Sequence, residues 1–173
     1  MNTLLSIAAV AAAFTITAFT LAPEREITTE VVIDAEPGRV WSVLTDGAAY
    51  GSWNPFIVSM KGEVAKGATL ENTMEPQKGK QMTFRPKVLA AEENKEFRWL
   101  GRFLLPRIFD GEHYFLLESY EGGTRLVHGE RFSGVGLWFI DPEQFRANFE
   151  AMNAALKKRA EDTPGLADVA AVK

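Results

Sequence analysis

The chain has no cysteine among its 173 residues and only two histidines. The first absence excludes disulfide staples, cysteine-based zinc sites and thiol catalysis, and leaves the redox compartment open. Positive charge is also short: 19 Lys and Arg stand against 23 Asp and Glu, a net charge of -4. With no basic field to attract a phosphate backbone, nucleic acid is not an expected partner. No glycine-rich phosphate loop, nucleophile elbow or metal-protease motif occurs, so no cofactor is expected. Finally, no charged side chain precedes Glu24.

That uncharged start, "MNTLLSIAAVAAAFTITAFTLAP", would cross a hydrocarbon core of roughly 30 Å if it were a helix rising about 1.5 Å per residue. A basic n-region is missing, and a cut after Ala22 would place Pro23 next in the chain. Residues 1–23 are therefore expected to be a membrane anchor and the protein membrane-associated, the alternative being a cleaved signal peptide and export. Arg25 and Arg39 follow closely, which tilts the orientation toward a cytoplasmic domain.

The whole chain is 46% hydrophobic and 24% charged, with enough apolar residues for one domain with a real core, expected over residues 24–162. Residues 163–173 show little periodicity and are expected to form a loose tail. "EITTEVVI" alternates, with Ile27, Thr29, Val31 and Ile33 on one face, and reads as a half-buried strand. Pro37 suits the first turn of a short helix with Val40, Trp41, Val43 and Leu44 on its apolar side, until "TDGAAYGSWNP" breaks the pattern. Six strand-like runs follow: "FIVSMKGEV", "ATLENTMEP", "KQMTFRPKVLAAEE", "EFRWLGRF", "EHYFLLESY" and "TRLVHGERF". A long amphipathic helix closes the pattern, with Asp141 as cap, Pro142 in its first turn, Gln144 at capping-box spacing, and Phe145, Phe149, Met152 and Leu156 at helical intervals.

In each strand the charges keep to one parity, Glu130 excepted, so one face is wet and the other is buried against the helix. The buried parity holds Phe56, Met74, Phe84, Trp99, Phe103, Phe115, His113, His128 and Glu130. If "YEGG" closes a hairpin, Glu118 faces Arg125 and Glu112 faces Arg131 outside, while Phe115 faces His128 and His113 faces Glu130 inside. Two imidazoles and a carboxylate then meet on the buried side, where they are tolerable only when paired. The trio is open to four roles: a satisfied structural contact, orientation of a ligand, general acid–base catalysis, or a two-His, one-carboxylate metal site. The charged outer parity gives no apolar patch for a protein partner. "SWNPF" reads as the lead into the second strand, with Trp53, Asn54 and Phe56 either clamping the short helices to the sheet or gating a cavity.

"VWSVLTD", "YGSWNPFI", "FDGEHYFLLE", "GGTRLVHGERFSG" and the final helix, in that order from about Glu26 to Arg159, resemble the SRPBCC (START/Bet v 1-like) superfamily. Within it the chain looks most like the bacterial polyketide cyclase/dehydrase-type group. The family pattern carries over to Trp41, to Trp53 through Phe56, to His113 and to Glu130 through Phe132. The resemblance implies an α+β helix-grip fold: a curved antiparallel β-sheet around a long C-terminal helix, with two short helices, enclosing a hydrophobic cavity. It also implies binding or transport of a hydrophobic small molecule, lipid or polyketide-like. Trp53, Asn54, Phe56, Met74, Phe84, Trp99, Phe103, Phe115 and His128 are the expected ligand-binding residues. The rival expectation is a cyclase- or hydrolase-like enzyme, with His113, His128 and Glu130 as the catalytic candidates. Fold alone does not choose between them.

Overall fold

The computed structural model describes residues 22–162. Residues 1–21, on which the anchor expectation falls, and residues 163–173, the expected tail, lie outside the described residues. Among the described residues no helix is long and apolar enough to cross a membrane.

Strand β1 (Glu24–Ile33) leads into helix α1 (Pro37–Thr45), a 3₁₀ turn (Gly47–Ala49) and the short helix α2 (Tyr50–Trp53). Strands β2 (Ile57–Lys61), β3 (Glu71–Gln77), β4 (Lys80–Phe84), β5 (Lys87–Glu92), β6 (Glu96–Phe103), β7 (Phe109–Tyr120) and β8 (Gly123–Ser133) follow. Two 3₁₀ turns (Val135–Trp138 and Pro142–Phe145) then lead into helix α3 (Arg146–Asp162). The architecture is the expected α+β helix-grip: antiparallel strands curved around the long C-terminal helix, with two short helices.

A five-stranded sheet in the order β1-β8-β7-β6-β5 is joined to a three-stranded one, β2-β3-β4, through the bridge Thr69↔Lys87. "KQMTFRPKVLAAEE" therefore divides between two sheets. Pro86, with no N–H to give a ladder, stands at the break, and its carbonyl accepts from Leu70 instead. Register shifts in β2, β3 and β5 also break the strict alternation, so that Ile57 and Met60 are both buried.

The β7–β8 hairpin has the register expected from its charges: Glu118↔Arg125, Phe115↔His128, His113↔Glu130 and Glu112↔Arg131 are all opposed. Glu121 and Gly122 both take positive φ, 47° and 85°, as a two-residue type I′ turn requires. The outer ion pairs differ from the simple cross-strand reading. Arg125 does reach Glu118 at 3.5 Å, but Glu112 takes Arg98 at 2.6 Å and Arg131 takes Glu26 at 3.5 Å, because a central strand has a neighbour on each side.

Helix α3 lies against β1, an edge strand whose free carbonyls would otherwise be left unpaired. Arg146 Nη1 donates to Thr28 O at 2.9 Å, and Lys157 Nζ donates to Val32 O at 2.7 Å. Asp141 caps the run before α3 by accepting from Glu143 N, and Gln144 bonds the Asp141 carbonyl rather than its N–H. Phe149, Met152 and Leu156 are fully buried against Ile27, Phe97, Trp99 and Phe115 in one continuous core.

The expectation that apolar surface is absent needs correction. The strand faces are charged, but the loops at one end expose Leu104, Leu105, Trp138, Phe139 and Ile140. Parity along strands says nothing about residues beyond the last ladder pair.

Candidate functional site: a cavity ending on a shared proton

The hollow between the sheets encloses about 280 Å³ and is mostly apolar. Phe56, Met74, Phe84, Trp99 and Phe103 line it as expected, together with Ile57, Met82, Gly101, Phe109 and Gly111. Its polar wall is His113 and Glu130, with Thr83, Arg85 and Arg102 also on its lining. The volume lies just below the roughly 300–1,000 Å³ usual for small-molecule sites.

Four expected ligand contacts are placed elsewhere. Trp53 packs edge-on against Tyr50 at 5.1 Å, and Asn54 Oδ1 accepts from both Phe56 N and Ile57 N at 2.9 Å. "SWNPF" is thus a packing clamp through those two residues, and only Phe56 reaches the cavity. Phe115 and His128 are wholly buried behind the wall: the His128 ring lies between Phe149 (4.4 Å, 2°) and Phe115 (4.4 Å, 25°). Strand parity distinguishes faces but not depth: Phe149 of helix α3 covers His128, and Phe115 lies against Trp99, His113 and His128.

His113 and Glu130 meet as the hairpin register requires, His113 Nδ1 lying 3.0 Å from Glu130 Oε2. The contact continues inward. His113 Nε2 is 2.8 Å from His128 Nε2, and His128 Nδ1 is 2.7 Å from Asn153 Oδ1. Asn153 Nδ2 donates to Thr29 Oγ1 at 2.8 Å, and that hydroxyl donates to the His128 carbonyl at 2.9 Å. Asn153 and Thr29 complete the network. Thr29 was legible as an inward residue of β1, and the signal for Asn153 was a polar side chain within the apolar stripe of the helix.

Donor and acceptor counting places the protons. The Thr29 hydroxyl spends its hydrogen on the His128 carbonyl, so it accepts from the Asn153 amide, which leaves Asn153 Oδ1 to accept from His128 Nδ1–H. A neutral His128 then accepts at Nε2 from His113 Nε2–H, and one more proton must lie between His113 Nδ1 and Glu130 Oε2. Burial agrees with this count. It lowers His113 to about 3, pushes His128 well below its ordinary value with the His113 charge adding to the effect, and raises Glu130 to about 8. The Glu130 side chain keeps 19% exposure and lines the cavity, so its carboxyl group is in reach of a bound molecule.

Two devices hold this arrangement. The His113 ring is stacked flat on Trp99 at 4.6 Å and 5°. Gly111 leaves room for the carboxyl, since a Cβ there would overlap Glu130 Oε1. Gly111→Ala is expected to push Glu130 off His113 and to lower stability by about 1–3 kcal/mol, the cost of leaving a buried polar group unpaired. Urea unfolding would read this, and an unchanged midpoint would show that the carboxyl relocates freely. The metal reading is not supported by this geometry, because the ring nitrogens of both histidines are directed at neighbours in the network. Among the described residues no group of three His, Asp or Glu side chains is arranged to hold an ion.

The comparisons agree with this fold. The Thermus thermophilus protein TTHA0849 superposes with a TM-score of 0.64 at 18% identity, over 82% of this chain and 100% of its own. The Panax ginseng major latex-like protein 151 gives 0.64 at 10%, over 82% and 99%, and Ara h 8.0201 gives 0.60 at 16%, over 81% and 97%. No curated protein matches in sequence. The profile described as polyketide cyclase / dehydrase and lipid transport matches residues 24–161, all but the ends of the described fold, and the chain belongs to that family.

Proposed function

We propose that this protein binds a hydrophobic small molecule carrying a hydroxyl group, and that its N-terminal segment holds it at a membrane. The observation that supports the ligand class is Glu130. The carboxyl proton is committed to His113 through Oε2, while Oε1 lies beside Gly111 on the cavity lining with no hydrogen-bond partner among the described residues. What the wall offers a ligand is therefore an acceptor, and a ligand hydroxyl answers it. The apolar remainder of the cavity contributes most of the affinity, at about 25 cal/mol per Å² of apolar surface buried.

The test is a titration of the full chain with 2-naphthol and with naphthalene. The expected result is one molecule per chain, with naphthol about tenfold tighter, as one net hydrogen bond of about 1.4 kcal/mol implies. Glu130→Leu erases the preference. Gly101→Leu fills the cavity against the Phe84 ring and weakens both probes at least tenfold. Equal affinities in the parent protein would sink the hydroxyl reading.

A second reading has its own observation: a proton shared at the cavity wall by groups displaced from their ordinary values is what general acid–base chemistry uses. As a cyclase or hydrolase, the protein would lose turnover in Glu130→Gln while keeping ligand affinity within a few fold. Joint loss of both would argue for binding alone.

A further inference from the structure

We infer that the loops Leu104–Ile108 and Val135–Ile140 form a face that enters a lipid bilayer beside the mouth of the cavity. The first observation is composition and exposure. Phe139 is 88% exposed, Leu104 77%, Leu105 63% and Trp138 54%, with Phe103 and Ile140 beside them in sequence and also exposed. Water-facing loops of this kind are ordinarily polar, and an apolar cluster on one end of a fold marks a binding surface.

The second observation is that the two loops are one surface. Val135 N donates to Arg107 O at 3.0 Å, and Gly136 N donates to Ile108 O at 2.8 Å. Leu104 is held at φ 64°, a conformation a leucine adopts only against a cost, with its side chain directed to solvent.

The third observation names the occupant. The register puts Glu24, Ser133, Asp110 and Arg102 in one row across β1, β8, β7 and β6, and both loops lie beyond that row. Pro23 lies beyond it too, its carbonyl accepting from Gly134 N at 3.2 Å. The uncharged residues 1–22 therefore join the fold at the edge of the exposed apolar loops. A membrane that takes up that segment lies against this end of the domain. Trp138 and Phe139 suit the interfacial zone of a bilayer. Arg102, Phe103 and Phe109 line the cavity at the same end, so an apolar ligand would pass between lipid and protein without crossing water. A protein partner would need the same patch, but only lipid is implied by the chain that enters beside it.

This inference rests on the membrane tether proposed above, and the experiment separates the two. The chain has no cysteine, so Leu104→Cys, Phe139→Cys and Glu121→Cys each give one labelling site. Glu121 follows Tyr120, ten residues up β7 from the row at Asp110, roughly 34 Å away at 3.4 Å per residue. Each full-length variant carries an environment-sensitive dye and is reconstituted in phosphatidylcholine vesicles containing spin-labelled lipid.

The expected result is co-flotation with vesicles for all three, with quenching at 104 and 139 at least threefold greater than at 121. That difference should persist in high salt, because apolar insertion and not charge drives it. Co-flotation with all three dyes equally unquenched would overturn the docking face and leave the tether standing. Failure to float would overturn both. Dyes at 104 and 139 shielded from iodide yet unquenched by lipid would show that protein covers the face, which also overturns the inference.

Discussion

Phe149→Ala is expected to cost roughly 3–5 kcal/mol of folding stability, close to the whole margin of many domains. The ring is fully buried, stacks flat on His128 at 4.4 Å and meets Phe56 at 5.7 Å. Removing it opens a cavity and also strips one side of the sandwich around an imidazole whose hydrogen bonds require a fixed plane. Urea unfolding of the variant is the measurement, with Phe139→Ala as the reference substitution. Phe139 is exposed, and its removal should shift stability by less than about 0.5 kcal/mol. A loss below about 1.5 kcal/mol at position 149 would mean that the centre of the fold collapses to fill the gap and that the histidine network is not held by packing.

The second large effect is on pH dependence. Glu130 is raised from 4.5 to about 8, so between these values the folded protein keeps a proton that the unfolded chain has lost, and stability falls as pH rises through that window. His113, lowered from 6.5 to about 3, and His128, also lowered, act in the opposite sense: stability is present above 6.5 and is lost as pH falls. Stability should therefore peak near pH 6.5. From there to pH 8 the Glu130 contribution alone removes about 2 kcal/mol, at about 1.4 kcal/mol per pH unit. On the acid side the two histidines together outweigh the one glutamate, so stability falls as pH drops below 6.5.

Acid loss is shared with ordinary ion pairs, since hydrogen bonds from Arg85 and Lys157 hold Glu71 and Glu161 below their usual range. The alkaline limb is specific to the proton shared by His113 and Glu130. Glu130→Gln keeps a donor to His113 without a titrating proton, and its thermal midpoint should be flat from about pH 6.5 to about 8. A limb that survives the substitution would refute the assignment of the shared proton.

The hairpin shows how far local pattern carries. Alternation, the "YEGG" turn and two outer charge pairs were enough to oppose His113 to Glu130, because a type I′ turn and a period of two leave only one register that keeps charges wet. Phe149, Met152 and Leu156 were legible for the same reason at the helical period. Phe115 and His128 were read onto the correct face but at the wrong depth, since which inward residues line space and which are covered depends on where α3 crosses the sheet. The split at Pro86 and the register shifts in β2, β3 and β5 were hidden because a bulge moves one residue without changing composition.

Taken by itself, the sequence determined the strand faces, the hairpin register and the buried meeting of His113 with Glu130, which follow from contacts between near neighbours in the chain or from a strict period, while the helix-grip fold class came through the family resemblance. Only the tertiary structure decided that Asn153 and Thr29, 124 residues apart, close the network and place its protons. It alone brought the Leu104 and Phe139 loops together beside Pro23, and it alone left about 280 Å³ unfilled. Empty volume and long-range juxtaposition are properties of how elements pack, and no periodicity along the chain records them.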